Sequence, residues 1–147
     1  MRLLTILLLL AAASIFAQSS DEKDAIATVQ KTFNGIAGRD SAMILSTMLP
    51  DARIYFVREG AAPASTAGAE LAARIGATKG ELLERFTGIP AVLVRGTMAQ
   101  VWGDYEFLRD GKFSHCGVDS VSLFKTADGW KIATIAYTVE TTGCKPR

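Results

Sequence analysis

Two Asp-Gly pairs, Asp110-Gly111 and Asp128-Gly129, each stand between stretches of alternating apolar residues. Asp-Gly favours the left-handed backbone that a two-residue hairpin loop needs, so the chain from Val92 to Glu140 is predicted to run as an antiparallel meander. A loop that short also sets the register of the strands it joins. Taking Arg109 opposite Lys112 puts His115 opposite Glu106, Cys116 opposite Tyr105 and Asp119 opposite Trp102. Taking Ala127 opposite Trp130 puts Asp119 opposite Thr138 and Val121 opposite Ala136.

On this register one face carries Met98, Gln100, Trp102, Asp104, Glu106, His115, Asp119, Val121, Leu123, Ile132 and Thr138. It mixes large apolar groups with three acids and the only histidine of the chain, as the wall of a pocket does. The opposite face carries Val101, Tyr105, Phe107, Cys116, Val118, Phe124, Ile135, Tyr137 and Val139. So apolar a face is expected to be covered by a second copy, which predicts a homodimer.

The first half of the chain reads as helical. Ser19 and Glu22 form a capping box ahead of Ile26, Val29, Phe33 and Ile36, so a helix is predicted from about Asp21 to Gly35. Its stripe is expected to cover the mixed face. Asp40 can cap a second short helix carrying Ile44, Leu45 and Met48, and Pro50 forbids its continuation. Arg53 to Val57 alternates as a strand, and REGAAPASTAGA reads as a surface loop. Ala69 to Ile75 looks helical, and Thr78 with Glu81 makes a second capping box ahead of Leu82, Leu83 and Phe86, so local propensity alone gives a helix there too.

Residues 1–17 stand apart: Arg2, the apolar run Leu3 to Ala13 and the small Ala17 have the layout of a cleaved export signal. The stretch from Leu3 to Ala17, about 15 residues, is short of the roughly 20 that cross a bilayer, so no membrane attachment is expected after cleavage. The domain is then residues 18–147, secreted or periplasmic. Lysine and arginine total 16 against 15 acids, a balance that gives no basic field for nucleic acid. One histidine and two cysteines exclude a zinc cage of those ligands, and no metal is expected. Export makes Cys116 and Cys144 able to pair; the other reading is two buried small side chains. A continued ladder sets Thr141 opposite Cys116, so a bridge requires the chain to bend back at Gly143.

The order helix, helix, strand, helix and then curved sheet resembles the nuclear transport factor 2-like fold. GIAGRDSAMILSTMLPDARI is similar to the segment joining the second helix to the first strand in that superfamily. VRGTMAQVWGDYEF, DGKFSHCGVDSV and DGWKIATIAYTVETTGC resemble an exported bacterial branch akin to the SnoaL-like and lumazine-binding-type groups. The resemblance implies an α+β, cone-shaped domain with N-terminal helices packed on a curved antiparallel sheet around one cavity. It also implies a strand at LLERF. Members isomerise, cyclise, dehydrate, hydrolyse, bind ligands or only dimerise, so the fold does not give the reaction.

GIAGRD and GATKG lack the spacing of phosphate-cradling loops, and any chemistry is expected to need no cofactor. Asp119 beside an indole is a candidate general acid or base, its pKa raised by partial desolvation. His115 beside Glu106 would have its cation favoured. The two lie about 13 Å apart along one strand, so they would address two ends of one ligand rather than form a dyad. Trp102, Met98, Asp104, Glu106, Val121 and Thr138 are the expected ligand-binding neighbours. Three functions stay open: a small-molecule-binding domain, a cofactor-independent isomerase, cyclase, dehydratase or hydrolase, and an inert dimerising module. A cavity of about 300 Å³ or more would remove the third, and a titratable group inside it without a partner would raise the second over the first.

Overall fold

Helices on one side of a seven-stranded sheet make up residues 19–144, the part that the computed structural model describes; the predicted export signal lies outside these residues. In chain order the elements are α1 (Ser20–Gly38), α2 (Ser41–Ser46), β1 (Met48–Arg58), β2 (Ala64–Ala67), α3 (Gly68–Ala77), β3 (Leu82–Phe86), β4 (Ala91–Arg95), β5 (Met98–Arg109), β6 (Lys112–Thr126) and β7 (Gly129–Val139). The sheet order is β2-β1-β7-β6-β5-β3, with β4 also pairing β5. All pairs are antiparallel except β1 with β7, which makes the sheet mixed.

The capping box forms as expected. Ser19 Oγ accepts from the Glu22 N–H at 3.2 Å, and Glu22 Oε2 accepts from the Ser19 N–H at 2.7 Å. The buried stripe of α1 is Ala25, Val29, Thr32, Phe33 and Ile36. Asp40 caps α2 by accepting from the Met43 N–H at 2.9 Å. Helix α2 packs on α1 because Gly35 has no side chain: a Cβ there would lie 2.8 Å from Ile44 Cγ1. Met48 belongs to β1 rather than α2, and Leu45 faces solvent. The predicted loop also contains an element: β2 pairs with β1, Arg53 opposite Ala67.

At LLERF a strand replaces the locally favoured helix, as the resemblance implies. Glu81, the third residue of the supposed capping box, is instead tied to the first hairpin tip. Its N–H donates to Asp110 Oδ1 at 2.8 Å, and its carbonyl accepts from the Asp110 N–H at 2.9 Å. With that end fixed, β3 runs along β5, Leu82 opposite Arg109 and Phe86 opposite Tyr105. Ladder pairing and side-chain burial outweigh a propensity difference of a few tenths of a kcal/mol per residue, on the order given by host peptides.

The register of β5, β6 and β7 departs from the expected one in two places. Arg109 pairs with Lys112 across Asp110 (φ 52) and Gly111 (φ 70), as a two-residue Asp-Gly loop should. Leu108 then faces Phe113 but Phe107 faces His115, so Ser114 is an extra residue in a β-bulge. Beyond it Asp119 stands opposite Gly103, not Trp102, and Glu106 opposite Cys116, not His115. In the second hairpin Thr126 pairs with Gly129, so Ala127 and Asp128 form the loop. Leu123 pairs with Ile132 and Ser122 with Thr134, which leaves Ala133 as a second bulge.

These bulges re-sort the faces. The helix-covered inner face carries Ala99, Val101, Tyr105 and Phe107 of β5, His115, Asp119, Val121 and Leu123 of β6, and Ile132, Ile135 and Tyr137 of β7. Met98, Trp102, Asp104, Glu106 and Thr138 therefore lie on the outer face, and the expectation that they share a face with Asp119 and His115 is overturned. Energetically the observed register wins because it buries Val101, Tyr105 and Ile135, and each large apolar side chain removed from water contributes about 2 kcal/mol. The expected dimer surface falls for the same reason: most of it is the inner face, occupied by α1 and α3.

Candidate functional site

Between the helices and the inner face lies a cavity of about 320 Å³. Phe33 and Ile36 of α1, Leu71 and Ile75 of α3, Ile54 and Phe56 of β1, and Phe107, Ile135 and Tyr137 of the sheet form its apolar wall. The rings are ordered among themselves: Phe56 stacks on Tyr137 with centroids 5.8 Å apart, and Phe107 stacks on His115 at 5.0 Å. Arg58 at the end of β1, Arg74 on α3 and Arg109 at the end of β5 stand exposed at the mouth.

Glu84 lies within this wall, and sequence reasoning missed it. It stands opposite Phe107, and as part of a helix it would have had no reason to share a face with Asp119. The signal available was the alternation Leu82, Glu84, Phe86, which sets a carboxylate between two inward apolar residues. Burial pushes Glu84 up to about 7. Asp119 is 1% exposed, and neither of its carboxylate oxygens has a hydrogen-bond partner. Burial first and the charge of Glu84 second raise it well above the ordinary aspartate range. An unpaired carboxylate in so dry a place is costly, so Asp119 stays protonated where an exposed aspartate would not.

The two tyrosines near this pair differ. Tyr105 donates to the Thr138 carbonyl at 2.7 Å, so its proton is committed. Tyr137 lines the cavity, and its hydroxyl makes no hydrogen bond to a described residue. Both phenols are raised, chiefly by burial and then by the charge of Glu84. His115 is half-buried, with Nδ1 3.0 Å from Ser114 Oγ. Burial, then Arg58 and Arg109, lower its pKa, so its neutral form is favoured. This corrects the expected cation beside Glu106: the Ser114 bulge turned Glu106 to the other face.

The remaining expected residues are placed elsewhere. Val121 is fully buried in the core rather than at the cavity. Asp104 and Glu106 border a hollow of about 360 Å³ beside Cys116 and Cys144. There Glu106 pairs with Arg85 at 2.6 Å, and Glu140 accepts from Thr138 Oγ1 at 2.9 Å, so these polar groups are satisfied within the protein. Trp102 and Thr138 border a shallow outer groove of about 330 Å³ with Tyr55 and Val118. Neither hollow holds an unpaired buried carboxyl like that of Asp119. Met98 is half-exposed on the same outer face. Cys116 and Cys144 are linked, with Cα atoms 5.9 Å apart, and Gly143 makes the required bend at φ 74. Among the described residues no group of three or more His, Cys, Asp or Glu side chains is gathered to hold a metal ion. No described helix is long and apolar enough to cross a membrane.

No family model matches the chain, and no curated protein matches it in sequence. Solved structures do match in shape. A nuclear transport factor 2-like superfamily protein from Salmonella enterica serovar Typhimurium superposes with a TM-score of 0.68 at 16% identity, over 86% of this chain and 96% of that one. The chain has the nuclear transport factor 2-like fold. A protein described as belonging to the NTF2-like family, from Streptomyces avermitilis and named as a suggested dehydratase, gives a TM-score of 0.66 at 19% identity, over 82% of this chain and 96% of that one. An NTF2-like protein with a cystatin-like fold from Novosphingobium aromaticivorans gives 0.64 at 16% identity, over 83% of each chain. In the nuclear transport factor 2-like frame of this chain, the sheet and helices enclose the cavity that holds Glu84.

Proposed function

We propose that this domain is a cofactor-independent acid/base enzyme that moves a proton on a small, largely apolar molecule held in the inner cavity. The observation that carries the reading is the pair Glu84 and Asp119: one carboxyl lines the cavity with its pKa near 7, and the other is buried beside it without a hydrogen-bond partner. A general base works best when its pKa lies near the ambient pH. Glu84 takes the proton from carbon next to a carbonyl, and the Tyr137 hydroxyl donates to the oxygen on which charge develops. Asp119 sits beside Glu84 as a neutral neighbour of the base: burial, and then the charge of Glu84, keep it protonated. The suggested dehydratase of the same fold supports this class of reaction without fixing the substrate.

Mass spectrometry of natively purified protein identifies the retained ligand, which is then incubated with the enzyme in deuterium oxide. The expected result is deuterium incorporation by wild type, lowered about 100-fold or more in Glu84→Gln. A retained ligand that exchanges no proton would leave the second reading, a small-molecule-binding domain, which the apolar wall favours. The domain is further proposed to be exported, on the pattern of residues 1–17 and the Cys116–Cys144 bridge, and to belong to the exported branch that its sequence resembles. A mature N-terminus at Gln18 would be the supporting result.

A further inference from the structure

Three cations converge on the cavity mouth from three different elements. Arg58 closes β1, Arg109 closes β5 and Arg74 projects from α3. The ion pairs among the described residues are Arg85 with Glu106 and Lys125 with Asp21, so none of the three mouth arginines is held in a close ion pair with a described carboxylate, although Arg74 acts on the exposed Glu70 one turn before it on α3. Arg58 instead stands over the Phe56 ring, 5.4 Å from its centroid. All three bear electrostatically on groups inside: Arg58 and Arg109 on His115, Arg58 and Arg74 on Tyr137. The cavity is thus polarised, with positive charge outside, the Glu84 carboxyl within, and stacked rings along the wall.

The geometry points to an aromatic or alicyclic carboxylate as the ligand, its carboxylate held at the mouth by Arg58, Arg74 and Arg109 and its ring seated against Phe56, Phe107 and Tyr137. Planar guanidinium forks match carboxylate geometry, and a charge-assisted bond is stronger than a neutral one. The reverse orientation would place the anion against the Glu84 carboxylate, which repels it, and away from the arginines. This inference rests on the reading of the cavity as a ligand site and names the class that site takes.

The test compares 2-naphthoate with 2-naphthamide, the same ring system with and without the charge, titrated into mature protein and followed by ligand fluorescence. The histidine signal is followed by nuclear magnetic resonance in parallel, because His115 is the only histidine in the chain. Naphthoate is expected to bind on the order of 10-fold tighter than the amide, with the preference shrinking as salt is added. It is also expected to raise the pKa of His115 by neutralising Arg58 and Arg109. Arg58→Gln with Arg109→Gln, at two exposed positions, should abolish both effects while urea unfolding stays near wild type. Equal affinity for the amide, no saturable naphthoate binding, an unmoved His115, or a preference that survives the double variant would each overturn the inference. Naphthoate selectivity in a protein that exchanges no proton keeps this inference and removes the acid/base reading; proton exchange without selectivity does the opposite.

Discussion

Tyr105 donates a 2.7 Å hydrogen bond to the carbonyl oxygen of Thr138, crossing the intervening strand at Gly117, the residue that stands opposite it. The same Thr138 accepts on its main chain and, through Oγ1, accepts from the Val118 N–H at 3.0 Å. Strands β5, β6 and β7 are thereby pinned beside the buried Asp119. A Cβ on Gly117 would collide with the Thr138 carbonyl, so the crossing depends on glycine. Gly117→Ala is expected to destabilise the domain by about 1 to 3 kcal/mol through this overpacking. The urea midpoint reads it; a midpoint equal to that of wild type would show that the strands give way freely.

Stability should fall as the solution becomes more basic near neutrality. Glu84 titrates at about 7 in the folded chain against 4.5 for the ordinary group, and Asp119 is raised in the same sense. Folded protein therefore holds more protons than unfolded protein between these values. The stability they contribute is fully present below 4.5 and lost as pH rises through 7. His115, being lowered, works in the opposite sense below 6.5. The diagnostic is thus the difference between variants: from pH 5 to 8 the urea midpoint of Glu84→Gln should decline less than that of wild type. Parallel curves would show that Glu84 titrates as an ordinary carboxylate.

Asp119→Asn supplies an uncharged isostere at a buried position without partners. It should leave the fold intact and be relatively more stable than wild type at pH 8, while Glu84→Gln should lower the pKa of Asp119. Carbon-detected carboxyl titration measures that shift. An unshifted Asp119 in Glu84→Gln would mean that the charge of Glu84 does not reach it.

Reduction of the Cys116–Cys144 bridge, which spans 28 residues, should cost about 3 to 4 kcal/mol on the chain-entropy account. Thermal unfolding with and without reductant, and of Cys144→Ser, measures it. An unchanged melting temperature would show that the reduced loop is held closed by other contacts.

Trp102 is 53% exposed on the outer face, where it borders a groove with the exposed Tyr55, and the exposed pair Met98 and Phe124 lies further along the same face. We propose this face, rather than the inner one, as the contact of a homodimer. Trp102→Ala should then change monomer stability by about 1 kcal/mol or less. It should also shift sedimentation at micromolar concentration from dimer to monomer. A wild-type protein that sediments as a monomer removes the proposal.

Local chemistry made much of this domain legible in the sequence. Reciprocal capping at Ser19 and Glu22, the Asp40 cap and the Asp-Gly loop at Asp110 each depend on neighbours a few residues away, so the residues alone determine them. The alternation along β6 was equally local, and it set Asp119 and His115 on one face. Long-range packing sets which residues of the neighbouring strands face them. Ser114 and Ala133 carry no mark of a bulge, since any residue can be the extra one; the choice follows from which register buries Val101, Tyr105 and Ile135. One inserted residue sent Trp102 and Glu106 outward and brought Tyr105 in. Glu84 was hidden for a related reason, because LLERF becomes a strand only when β5 offers its edge and Asp110 holds Glu81. Local residue chemistry thus dictates most of the elements, the two hairpins and one acid of the site. Its second acid and its arginine mouth exist only through contacts between residues distant in the chain.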